Sequence, residues 1–261
     1  MNATKQGRRT ASPLRRLSAI GRMHYGKLIL RSALFLLALV LYILARAGVI
    51  GGSETLGIAP WALILIWVYY MVDMITRLFP SRLESTGCQR QFKKNYMPTG
   101  EALRRPSTWK STLAIVAAWI ALNGVIGGLY HAHVIDAGIL FLVGLAYGIC
   151  DMICILFFCP FQTWFMKNRC CATCRIYNWD FAMMFTPCLF LPMGYTWSLL
   201  GVALIILARW ELTLRLYPER FFEQSNACVS CEHCKERLCR YKPQLRRFAR
   251  RNRMKIDHSE K

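Results

Sequence analysis

The sequence predicts an all-α, polytopic integral membrane protein. Six transmembrane helices form three hairpin pseudo-repeats, both termini are cytoplasmic, and a small Cys-rich cap lies on the cytoplasmic side. Three observations lead there. The hydrophobic fraction is 55%, above the roughly 45–50% of ordinary soluble domains. The apolar residues gather into runs of about 20, the length that crosses a bilayer as a helix. A short pattern recurs at the ends of the even-numbered runs: Asp73 to Arg77 to Pro80, Glu211 to Arg215 to Pro218, and Asp151 with Pro160 following. Each of these acids is followed further along by cysteine, at Cys88, Cys170 and Cys228.

Residues 1–27 form a basic N-terminal arm, in which Arg8, Arg9, Arg15, Arg16, Arg22 and Lys27 interleave with Leu14, Leu17 and Ile20. Such a stretch suits anionic lipid headgroups, each basic residue near the surface contributing on the order of 1 kcal/mol. The tail from Arg246 to Lys255 repeats that composition. Basic clusters also neutralise nucleic-acid phosphates, but beside membrane spans the lipid reading is preferred, and nucleic acid is not an expected partner.

The membrane domain, 28–220, contains the expected spans Leu28–Ala45, Pro60–Phe79, Ser111–Tyr130, Ala137–Phe158, Phe181–Tyr195 and Thr196–Leu216. A cleavable signal peptide is the rival for the first, since Ala45-Arg46-Ala47 has the small-x-small form. The long preceding arm and the long apolar core favour an uncleaved helix. The fifth is the weakest, because Pro187 and Pro192 interrupt it; a kinked or re-entrant segment is the alternative. Gly124, Gly127 and Gly128 suggest close helix packing on the third. The eight tryptophans lie mostly near span ends, where amphipathic rings favour the membrane interface.

Charge sets the orientation. The connections Ala47–Ala59 and His131–Asp136 and the turn near Gly194 hold no Lys or Arg. Basic residues crowd instead into the arm, the Pro80–Lys110 loop, the Lys167–Arg175 loop, and the last helix and tail. The positive-inside rule then makes both termini cytoplasmic, with the formal charge of +20 facing inward. The predicted location is a multi-pass protein of the cell (cytoplasmic) membrane. No Gly-rich phosphate loop, Gly-x-Ser-x-Gly elbow or His-Glu-x-x-His is present, which removes support for nucleotide hydrolysis or proteolysis.

The chain has twelve cysteines. Disulfides seldom persist in a reducing cytoplasm, so clustered cytosolic thiols read as metal ligands or redox groups. The segment 221–261 carries Cys228, Cys231, Cys234 and Cys239. Its C-x2-C-x2-C opening resembles the iron–sulfur run of bacterial ferredoxins, C-x2-C-x2-C-x3-C-P. Four residues separate the last two cysteines here, and Arg240 replaces the proline. The resemblance implies an iron–sulfur cluster, and Lys235, Arg237 and Arg240 would lower thiol pKa values. Zinc is the rival, because four thiolates close a tetrahedral site; His233 could replace one of them. A second set, Cys170, Cys171 and Cys174, is one ligand short, and Cys88 on the neighbouring loop could complete it. The two sets can equally share one centre. Cys150, Cys154, Cys159 and Cys188 lie within or beside spans, where a thiol is usually a small apolar residue, and they receive no role. His131 and His133, in an outer turn, read as solvated.

Asp73 with Arg77, and Glu211 with Arg215, stand one helical turn apart and are expected to pair locally at the interface. Asp151 has Ile155 at the matching position. An ionisable residue within a span points to function, here a proton or ion site; a structural pair with Arg209 is the alternative. The leading expectation is a membrane metalloprotein for electron transfer, iron–sulfur slightly preferred over zinc, working with a cytoplasmic or membrane redox partner. An ion or metal transporter using intramembrane acids is one alternative. A zinc-stapled anchor or assembly protein without catalysis is the other.

Overall fold

The computed structural model describes residues 18–53, 55–81, 84–101, 109–167, 170–230 and 232–234. These form an all-helical chain in which no strand occurs among the described residues. The long helices are α1 (Ala19–Arg46), α2 (Pro60–Arg77), α4 (Trp109–His131), α5 (Ala137–Leu156) and α7 (Gly194–Leu216). Two short helices, α3 (Thr86–Gln89) and α6 (Asp180–Met184), lie between them. Three of the long helices, α1, α4 and α5, are long and apolar enough to cross a membrane.

Helix ends follow local chemistry. Ser18 caps α1, its Oγ accepting from the Gly21 N–H at 3.1 Å, and a capping hydroxyl of this kind contributes about 1 kcal/mol. Pro60 opens α2 at a position where its missing N–H costs nothing. Asp136 caps α5 by accepting from the Ile139 N–H at 2.9 Å. Its other oxygen accepts from Tyr42 Oη at 2.6 Å, tying the start of α5 to the end of α1. Gly138, the second residue of α5, allows that approach: a Cβ there would sit 2.5 Å from both the Leu56 carbonyl and the Tyr42 ring.

The fifth predicted span is not one helix. It is α6, then a 3-10 turn over Thr186–Phe190, then an extended link into α7. Pro187 opens the 3-10 turn, and a proline inside a continuous helix would remove a hydrogen bond and clash with the preceding turn. The packing also crosses the expected hairpins. α1 packs most extensively along α5, and α2 along α7. α5 is the central helix, burying Leu140, Phe141, Leu145 and Met152. Its core partners include Leu34 and Ala38 of α1, Ile66 and Tyr70 of α2, Phe181 of α6 and Leu199 of α7.

The outward faces are apolar as well. Ile29, Leu36, Val40 and Ile43 on α1, Ile64, Val68 and Val72 on α2, and Ile120 and Val125 on α4 are all exposed. A bundle apolar on both its inner and outer faces is what a lipid surround favours. Of the three glycines on α4, only Gly127 marks a close contact: a Cβ there would lie 2.3 Å from the Phe190 ring, whereas Gly124 and Gly128 face open space. Trp61, Trp109, Trp164 and Trp197 are exposed, but Trp210 is fully buried and donates to the Arg175 carbonyl at 2.8 Å.

Candidate functional site

Most of the described buried charge lies at one end of the bundle, where α1 begins and α2 and α5 end. Arg31, only 1% exposed, sends one guanidinium nitrogen to Asp73 at 2.9 Å and the other to Asp151 at 3.0 Å. That second nitrogen also donates to the Gly148 carbonyl at 2.9 Å. Lys27, one helical turn before Arg31, bridges Asp73 at 2.7 Å and Glu84 at 2.8 Å. Arg77 pairs with Asp180, the first residue of α6, at 2.5 Å. Arg77 also lies over the Phe181 ring at 4.3 Å, a cation–π contact that compensates lost hydration. Burial pushes the Glu84 carboxyl up, but Lys27 and Arg77 outweigh it and hold the group below its ordinary value.

These pairings correct the local ones read from sequence. Asp73 does not pair with Arg77; it takes Lys27 and Arg31, and both Asp73 and Arg77 are buried rather than interfacial. Asp151 is paired, but with Arg31 and not with Arg209. Arg209 instead donates to the Leu78 carbonyl at 2.7 Å and lies over the Phe92 ring. Glu211 takes Arg175 at 2.5 Å and the Trp179 indole N–H at 2.9 Å. No ion pair to Arg215 occurs among the described residues. For Asp73 and Asp151 a long-range carboxylate–cation contact in the desolvated interior wins over the weak i,i+4 attraction of a hydrated helix surface, and half-buried Glu211 likewise takes a cation from a distant loop. Arg31 and Asp180 went unremarked in the sequence. The signal for Arg31 was present: it stands inside the first apolar run with no acid one turn away on its own helix.

Beyond this network, three loops form the cap. Ser85 caps α3, its Oγ accepting from the Gly87 N–H at 3.1 Å, and the Tyr177 hydroxyl reaches the same Oγ at 2.6 Å. Arg90, 2% exposed, donates to the Cys174 carbonyl at 2.6 Å and the Phe221 carbonyl at 3.0 Å. Its ring contacts are Trp210 and Phe221. Asn226 accepts from the Met97 N–H at 3.1 Å, and the Ala227 N–H donates to the Met97 carbonyl at 2.8 Å, fastening the third loop to the first. Burial pulls the Arg90 guanidinium down to about 10, against the opposing influence of Cys174, Cys170 and Cys88. No carboxylate pairs with Arg90 among the described residues.

Cys88 is buried, its Sγ donating to the Ser85 carbonyl at 3.1 Å. Cys174 is buried and Cys170 half-buried, both on the loop that Arg90 holds. Helix α3, which carries Cys88, packs against the loop of Cys170 and Cys174, and the Cys228 segment packs on α3 beside them. Cys228 and Cys234 are half-buried. The Cys171 side chain, Cys231 and Cys239 lie outside the described residues. Among the described residues, no three His, Cys, Asp or Glu side chains are arranged to hold a metal ion. Compared with protein-family models, with curated proteins and with solved structures, the chain matches none.

Proposed function

We propose that the chain is a multi-pass protein of the cytoplasmic membrane, both termini inside, whose cap holds a thiolate-bound metal centre used in electron transfer. One observation carries this reading: Arg90 is a buried cation with no carboxylate partner among the described residues, held among Cys88, Cys170 and Cys174. A buried charge is costly unless compensated. Deprotonation of these cysteines on binding a metal would supply the countercharge, and the thiolate is the form of cysteine that ligates metal. Cys171 and the Cys228, Cys231, Cys234, Cys239 segment would supply the remaining sulfur, so that four-ligand iron–sulfur or zinc chemistry fits the donor set. The basic arm and tail would lie on anionic headgroups, and the carrier or protein that exchanges electrons would dock at the cap.

The test is elemental analysis with a visible spectrum on full-length protein purified without oxygen. Iron with sulfide-type visible absorbance supports electron transfer, and zinc supports the stapled anchor. Folded, colourless and metal-free protein removes the centre. Cys88→Ser and Cys174→Ser should each lower the bound metal while the protein stays monodisperse.

A second reading is favoured by the network around Arg31. Buried acids paired across helices at one end of a membrane bundle suit ion or proton transport, with Asp151 as the group that exchanges its partner. Flux into liposomes that is lost in Asp151→Asn would support it.

A further inference from the structure

A cavity of about 300 Å³ opens beside the end of α5, between α4, α5 and the segment leading into α6. That volume stands at the small end of ligand sites. Its walls are almost wholly apolar, and Asp151 and Asp180 are its acidic residues. The Trp119 ring lies 4.8 Å from that of Tyr147 at an interplanar angle of 54°, and Phe161 meets Trp119 edge-on at 6.4 Å, so one wall is aromatic. Cys150, which is exposed, contributes to the lining and places the opening on the flank of the bundle.

Two features select the ligand. The first is an orphaned acceptor: the Asp180 side chain is 6% exposed and gives one oxygen to Arg77, while its Oδ1 is buried with no hydrogen-bond partner. The Tyr147 hydroxyl, also lining the cavity, is likewise unbonded. Leaving a buried charged acceptor unsatisfied is unfavourable. The second is the charge count. The ion-paired group of Lys27 and Arg31 with Asp73, Glu84 and Asp151 has two cations for three carboxylates. Arg77 and Asp180 balance each other. His24, buried beside the network, makes no hydrogen bond and is left out of this count. Among the described residues this leaves one carboxylate more than cations, and one acid of that group, Asp151, borders the cavity.

We propose that this cavity binds a lipophilic organic cation, an amine with a compact apolar or aromatic body. The ammonium donates to Asp180 Oδ1 and supplies the missing positive charge. The aromatic wall receives the body and adds cation–π attraction. Neither the thiolate centre nor ion transport assigns a ligand here, and binding without a gradient is separable from both.

The test is calorimetric titration of the full chain in detergent with phenethylammonium, and with phenethyl alcohol as its uncharged counterpart. The amine should bind about tenfold more tightly or better, the margin of one charge-assisted hydrogen bond. Asp180→Asn should abolish that preference. Because this change also strips Arg77 of its partner, Cys150→Trp is the second variant: it leaves every charge in place and fills the opening, and it should weaken amine binding by a similar factor. Equal binding of amine and alcohol, absence of amine binding, or undiminished binding in a monodisperse Cys150→Trp protein would each overturn the proposal.

Discussion

Arg31 decides how the buried charges are arranged. Its planar fork reaches two carboxylates from two other helices, separated from it by 42 and 120 positions in the chain. A lysine at this site would keep the charge but present a single point, and it could not hold both acids in one plane. Arg31→Leu leaves Asp73 and Asp151 buried with too little countercharge, and removing one partner of such a group typically costs about 3–5 kcal/mol. Arg31→Lys should lie between that variant and the parent. Thermal unfolding in detergent, followed by size-exclusion profile, should give the order parent, Lys, Leu. A Leu variant as stable as the parent would show that the network contributes nothing net. The acids themselves were legible in the sequence, because an ionisable residue in an apolar run stands out. Their partners were not. Spacing on one helix reports only neighbours within a turn, and the pairs that formed join α1 to α2, α1 to α5 and α2 to α6.

At the scale of the element, the long helices were readable because each apolar run ends where charge, proline or glycine intervenes. α2 begins at Pro60 as expected and ends at Arg77, and α5 begins at Ala137 as expected. The interrupted fifth segment was readable too, from Pro187 and Pro192. Which helices pack together was not, since one leucine-rich face resembles another and the α1–α5 contact leaves no periodic mark. Glycine shows the difference between pattern and contact. The three glycines of α4 look alike in sequence, yet only Gly127 abuts a side chain, the Phe190 ring. Gly127→Ala should therefore lower stability by about 1–3 kcal/mol, the usual cost of overpacking. Gly124→Ala and Gly128→Ala should be neutral or raise it by up to about 1 kcal/mol, through the better helix propensity of alanine. Unfolding midpoints of the three single variants test this, and a uniform response across them would mean that the Phe190 contact does not govern α4.

Across the whole molecule, charge is unevenly divided between the two ends. The cap end carries Lys93, Lys94, Arg175 and Arg220, besides the buried network. At the opposite end, between α1 and α2 and between α4 and α5, Arg46 stands alone as a described Lys or Arg, bordering the first of those connections and 3.8 Å from Asp136. Translocating a short basic loop is unfavourable, so the proposed sidedness puts the cap, its thiols and any reductant in one compartment. A membrane-impermeant maleimide distinguishes the two orientations. Val49 is exposed in the α1–α2 connection, so Val49→Cys should gain label on intact cells relative to the parent chain. Cys228 and Cys234, on the cap, should take label only after the membrane is permeabilised, as read by peptide mapping. The reverse pattern would turn the bundle over. It would expose the sulfur cluster to an oxidising space, where paired thiols close into disulfides rather than hold metal as free thiolates, and the electron-transfer reading would fall while the cavity beside Asp180 could still be titrated on its own.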